Sequence, residues 1–372
     1  MSTAPTAYPS NKIPQHPWKF FGAIATTLEP DLRKLCELVR KSRGRFLSTD
    51  GIPTPQLILA ALRTCQGAAN AIHPYLAQIP PRSPMTASTA SNLLSLDLDP
   101  AASGTAKTTA SANAPALVRD AIECVSTSAY AIVAHPPVFI TPEVLDLYVT
   151  IQARLGRPET LPDVLELFAS KPKPRVVDGA ISYEPQNPKR ADRAIQASTA
   201  EAALNCAIEA RDLDAALGVI EACYTTEAFV RQKLLKKAFL PVSVFGAAPF
   251  AAYGLAATLS TFQNTIEPAT ATKYAFAGVM AYVGFTATIG MVAAITANDQ
   301  MKRVTWAPGT PLHTRWLREE ERVALDDVAC AWGFKEKWRH GEEAGPEWDG
   351  LREYLGLKGM ILDRVEFMEG MS

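Results

Sequence analysis

Apolar positions follow two regimes along this chain. Over most of it they recur at spacings of three and four, the pattern of helices with one buried face. Between Ala238 and Ala297 they become continuous. Two charge-free runs, Phe239–Ile266 and Tyr274–Asn298, are separated by a short polar turn around Glu267, Pro268 and Lys273. A helix rises about 1.5 Å per residue, so roughly 20 residues cross a hydrocarbon core about 30 Å thick. Each run is long enough and apolar on every side, which predicts a two-helix transmembrane hairpin over residues 238–298. Pro249 predicts a kink in the first arm. Gly278, Gly284 and Gly290, with Ala277 and Ala281, predict a thin surface for close approach of another helix, first of all the other arm.

Charges flanking the runs set an orientation. Arg231, Lys233, Lys236 and Lys237 precede the first run, and Lys302 and Arg303 follow the second. The turn between them carries only Glu267 and Lys273. Under the positive-inside rule both termini share one side and the turn lies across the membrane.

The remaining chain reads as mainly α. A disordered lead is expected over 1–16, then N-terminal helices over 17–78. An aromatic knot of Trp18, Phe20 and Phe21 precedes the helix Glu29–Lys41, and Thr54-Pro55, a capping residue followed by Pro, opens a second helix. Residues 79–114 are rich in Pro, Ser, Thr and Ala and almost uncharged, which predicts a flexible low-complexity insert. Helices return over 115–237, interrupted by a Pro/Lys-rich linker at Lys171–Lys189. Residues 299–372 predict a small, aromatic-rich α region. Its helix, Pro311–Gly333, should bury Leu317, Leu325 and Val328 and turn Arg318, Glu319, Glu320, Glu321 and Asp326 outward.

Within 115–237 two stretches share a rhythm. "YVTIQARLGRPETLPDVLELF" and "LNCAIEARDLDAALGVIEACY" each give an apolar helix, a polar turn near an Ala-Arg pair (Ala153-Arg154, Ala210-Arg211) and a returning helix. Over Thr141–Tyr224 the chain resembles the tetratricopeptide- and pentatricopeptide-type helical repeats of mitochondrial proteins. That resemblance implies stacked antiparallel helix pairs, and a peptide or single-stranded RNA respectively as partner.

Composition narrows the function classes. Net charge is -1 across 372 residues, so no global basic surplus argues for nucleic acid. The 6 cysteines form no CxxC pair and are expected to be free thiols. The 5 histidines show no metal-ligand spacing, and no glycine-rich loop follows a strand. Ionisable groups sit at the ends of the apolar runs, not inside them, which argues against an ion pathway. No catalytic, cofactor or metal site and no small-molecule substrate is expected.

The lipid bilayer and a protein are the expected partners, and the chain reads as a membrane-anchored scaffold or assembly factor. The alternative is a membrane-tethered RNA-binding or translation factor, with Lys171, Lys173, Arg175, Lys189, Arg190 and Arg193 meeting phosphates. Met1–Pro17 lacks the apolar core of a secretory signal. The Ala-rich spans flanked by Arg and Lys are similar to those of organelle proteins. The mitochondrial inner membrane with matrix-facing termini is therefore favoured over the endoplasmic reticulum.

Overall fold

The computed structural model describes residues 18–49, 51–76, 109–177, 180–296 and 301–363. The lead over 1–16 and most of the insert over 79–114 lie outside them. The chain is mainly helical and divides into two compact units, Met1–His135 and Pro136–Ser372.

The first unit packs α1 (Trp18–Leu47), α2 (Pro55–Leu76) and α3 (Thr109–Ala134) against one another. Helix α2 begins where Thr54-Pro55 predicts, and the Thr54 hydroxyl accepts from the Leu57 N–H at 3.4 Å. Its buried stripe, Ile58, Leu62, Cys65, Ala69 and Ile72, meets Val118, Ile122, Val125, Ala129 and Ile132 of α3 and Leu32, Val39 and Phe46 of α1. The expected domain boundary at 114/115 therefore moves to His135. The apolar face of α3 is used up on α1 and α2, and α3 belongs to the N-terminal unit.

The second unit starts with two helix pairs, α4 (Pro142–Leu155) with α5 (Leu161–Ser170), and α6 (Ala197–Ala210) with α7 (Leu213–Tyr224). First helices pack on each other, as do second helices. Thr141 caps α4 by accepting from the Val144 N–H, and Asp212 caps α7 by accepting from the Ala215 N–H. The equivalent turns are built on Gly156 and Arg211, both left-handed at φ 63° and 56°. A side chain at Gly218 would meet the Pro162 ring at 2.9 Å, so glycine is what lets α7 lie close on α5.

The Lys171–Lys189 segment is not a plain linker. It forms an antiparallel hairpin of β1 (Lys173–Val177) and β2 (Ala180–Glu184), with Arg175 opposite Ser182. In the sequence an Asp-Gly pair at 178–179 lies between Val176-Val177 and Ala180-Ile181, the kind of dipeptide that signals a hairpin.

Helix α8 (Glu227–Lys233) runs through a π-helical turn at Leu234–Ala238 into α9 (Phe239–Ser260), which packs along α10 (Pro268–Thr296). The C-terminal region then folds as β3 (Val304–Trp306), α11 (Leu312–Leu317), α12 (Glu319–Trp332), α13 (Pro346–Leu357) and β4 (Met360–Leu362), with β3 antiparallel to β4. The single helix expected over Pro311–Gly333 is broken at Arg318. Helix α12 seats on α6 and α7, where Arg211 donates to the Ala331 carbonyl at 2.6 Å and stacks on Trp332.

Candidate membrane hairpin and the module that holds it

Among the described residues, one helix is long and apolar enough to cross a membrane, over Pro268–Ala293 of α10. Its large side chains point away from the protein. Tyr274 and Tyr282 are each 71% exposed, Phe285 68% and Ile289 55%. Helix α9 behaves likewise, with Phe250, Tyr253 and Leu255 exposed. The two arms meet through small residues instead: Ala252, Ala256 and Ala271 are buried, and Tyr253 sits edge-on to Phe276 at 6.5 Å. This is the reverse of a core helix in water, where large apolar groups face inward.

Gly278, Gly284 and Gly290 do not form the contact with α9. A side chain added at any of them would touch nothing within 4 Å. The thin surface they make is open on the outside of the hairpin.

The flanks of the hairpin are bound to each other. The break at Arg318 frees the last carbonyls of α11, and helix-end carbonyls attract cations. Buried Lys233 from α8 donates to the carbonyls of Trp316 and Leu317 and to the Glu320 carboxylate. Lys237 reaches the second Glu320 oxygen at 2.9 Å. Burial pulls the Lys233 ammonium below its ordinary range, against the Glu320 contact. Segments immediately before and after the two arms thus meet at one carboxylate.

Acidic groups expected to face water are instead the interior of this module. Buried Glu321 takes Arg318 in a two-pronged pair at 2.7 and 3.1 Å. Glu319 holds Arg322 and accepts from the Trp306 indole. Asp326 accepts from the backbone N–H groups of Lys302, Arg303 and Val304 at 3.0, 2.8 and 2.9 Å, which fixes the start of β3. Buried Arg303 pairs with Asp363 and Glu343 and lies 4.6 Å over Trp348. Burial opposes the charge on Glu343, but the Phe334 N–H and the Arg303 guanidinium outweigh it and hold its carboxyl at about 2. The helical pattern shows which residues are adjacent on α12; it cannot show that β3 and β4 bring partners to its polar side.

The six candidate contact residues divide. Lys171 is buried, and desolvation lowers its ammonium to about 8. Lys173 and Arg193 converge on the Phe139 ring at 5.7 and 4.9 Å, and Arg193 also donates to Gln186. Arg175 pairs with Glu184 at 2.9 Å on the β-hairpin. Lys189 pairs with Glu227 at 2.7 Å and Arg190 with Asp192 at 3.0 Å.

All six cysteines are free. Burial raises the thiols of Cys36 and Cys65 to about 11 and that of Cys206 to about 12, away from the reactive range. Among the described residues no group of three or more His, Cys, Asp or Glu could hold a metal ion. No protein-family model matches the chain, and it matches neither a curated protein nor a solved structure.

Proposed function

We propose that this protein is a membrane-anchored scaffold: α9 and α10 form a two-pass hairpin in lipid, and the stacked pairs α4–α7 recruit a protein partner beside the bilayer. One observation carries the reading. The largest side chains of α10 are turned outward over a stretch without a single charge, so they need an apolar surrounding that the described residues do not supply. The Lys233–Glu320 junction supports placing both flanks on one side, because the residues before and after the hairpin bind each other. Arg231, Lys236, Lys237 and Lys302 make that side positive, which fits the matrix face of a mitochondrial inner membrane.

A protein is favoured over RNA because Glu184, Glu227 and Asp192 already neutralise three of the six basic groups of the linker region. Alkaline carbonate extraction with protease access to tagged termini is the test. The proposal expects a chain that stays with the membrane and has both ends cut from the same face. Free solubility without detergent, or ends cut from opposite faces, would reject it. RNA recovered by crosslinking in intact membranes, and lost on neutralising Lys173, Arg175, Lys189 and Arg190, would replace the partner.

A further inference from the structure

The β1–β2 hairpin is a ribbon of two strands alone, an arrangement only marginally stable in water. The register puts Pro174, Val176, Ile181 and Tyr183 on one face. Only Pro174, at the base, is buried; Val176 is 64% exposed, Ile181 38% and Tyr183 44%. The opposite face carries Lys173, Arg175, Ser182 and Glu184, with Arg175 and Glu184 paired, and ends in exposed Val177 beside the turn. Among the described residues each strand also has one edge that pairs with no other strand. Pro174 interrupts the β1 edge, because it has no N–H to give. The β2 edge has no proline from Ala180 to Glu184.

We infer that the β2 edge is a self-association surface, where a second copy of this chain adds its own β2 in antiparallel orientation to make a four-stranded sheet, β1-β2-β2-β1. The strand is complementary to itself about a two-fold axis through Ser182. In that register Ile181 stands opposite Tyr183 of the second copy and Tyr183 opposite its Ile181. Aromatic against β-branched is a favourable cross-strand pair, and here it occurs twice on the apolar face. Glu184 stands opposite position 180, so no like charges face each other, and each Glu184 keeps its own Arg175. The apolar faces of both ribbons become one continuous surface. Edge strands left open are where chains join, and two-fold closure consumes the edge without leading to a fibre.

The register is testable by position. Paired antiparallel residues have Cα atoms about 4.5–5.5 Å apart, inside the roughly 4.4–6.8 Å that a disulfide spans. Residue 184 lies four positions from its own mate, roughly 14 Å at ~3.4 Å per residue. We would change Cys36 and Cys330, the two half-exposed thiols, to Ser in the full chain in detergent. Ser182→Cys and Glu184→Cys would then be introduced separately and oxidised mildly. Expected is a covalent dimer for Ser182→Cys at least tenfold above Glu184→Cys, abolished by adding Ile181→Asp, and a dimer of the unoxidised parent in light scattering. Equal crosslinking at both positions means random collision and overturns the register. A parent that stays monomeric, with Ser182→Cys uncrosslinked, overturns the interface. If a polarity-sensitive dye at residue 181 of that monomer then reports lipid on vesicle binding, the apolar face belongs to the bilayer.

Discussion

Placing one carboxylate at the middle of α10 separates lipid from water as its surroundings. The span Pro268–Ala293 has 26 residues, so its centre falls between Met280 and Ala281, and Tyr282 lies about 2 Å away at 1.5 Å per residue. Tyr282 is 71% exposed. In water, Tyr282→Asp at such a position changes stability by no more than about 0.5 kcal/mol. At the centre of a bilayer an Asp costs about 3 kcal/mol, which is roughly 150-fold in an insertion equilibrium. The penalty must fall with distance from the centre. Tyr274→Asp lies about 10 Å from the centre along the helix and Ile289→Asp about 13 Å, both toward the edges of a hydrocarbon core about 30 Å thick. All three sites are exposed, so differences in packing do not confuse the comparison. The assay is the fraction of chain resisting carbonate extraction, with a glycosylation reporter in the connecting turn to quantify translocation. Lipid predicts a trough at residue 282 and partial recovery at 274 and 289. A flat profile would refute the membrane reading, since water does not distinguish depth.

Three further outcomes follow from the module beside the hairpin. Glu320→Gln leaves buried Lys233 with carbonyls alone and should destabilise the second unit by about 2 kcal/mol, read as a shift in its denaturant midpoint. Gly333→Ala puts a methyl group into the space of the Arg303 guanidinium, which Asp363, Glu343 and Trp348 hold in place. Overpacking of that kind costs at least ~1–3 kcal/mol, and a melting temperature equal to that of the parent would contradict the geometry. Glu343 titrates at about 2 in the folded chain against an ordinary 4.5, so between these values the unfolded chain binds a proton that the folded chain does not. Its contribution is therefore complete above pH 4.5 and lost as the pH falls toward 2. The stability difference between the parent and Glu343→Gln should shrink across that window and be constant above it.

Local signals in this sequence carried the elements they bear on directly. Thr54-Pro55 and Thr141-Pro142 mark helix starts because a hydroxyl and a proline act within one turn. The long apolar runs are helical over Phe239–Ser260 and Pro268–Thr296, with Pro241 in the first turn of the first arm and Pro249 in its interior. Three features needed contacts that no local pattern contains. The β-hairpin is hidden in the sequence by Pro172, Pro174 and the lysines around them. Helix α3 was assigned by order along the chain, whereas its partners, α1 and α2, precede the insert. On α12, Glu319, Glu321 and Asp326 looked like a wetted face because a helical wheel has no place for Trp306, Val304 or the backbone of Lys302 and Arg303.

That last case and the hairpin together support the functional proposal from opposite directions. The second unit buries Arg303, Arg322, Glu321 and Asp326, an arrangement costly enough that every one of these groups is paired or hydrogen-bonded. Each of these four has an opposite charge within reach, although Arg303 Nη1 is buried without a hydrogen-bond partner. Elsewhere the same unit leaves Phe250, Tyr274, Tyr282 and Phe285 uncovered by the described residues. On the membrane proposal their cover is lipid: from Tyr274 to Ala293 the helix carries no charge on any side, which suits a surrounding solvent better than a single docking face.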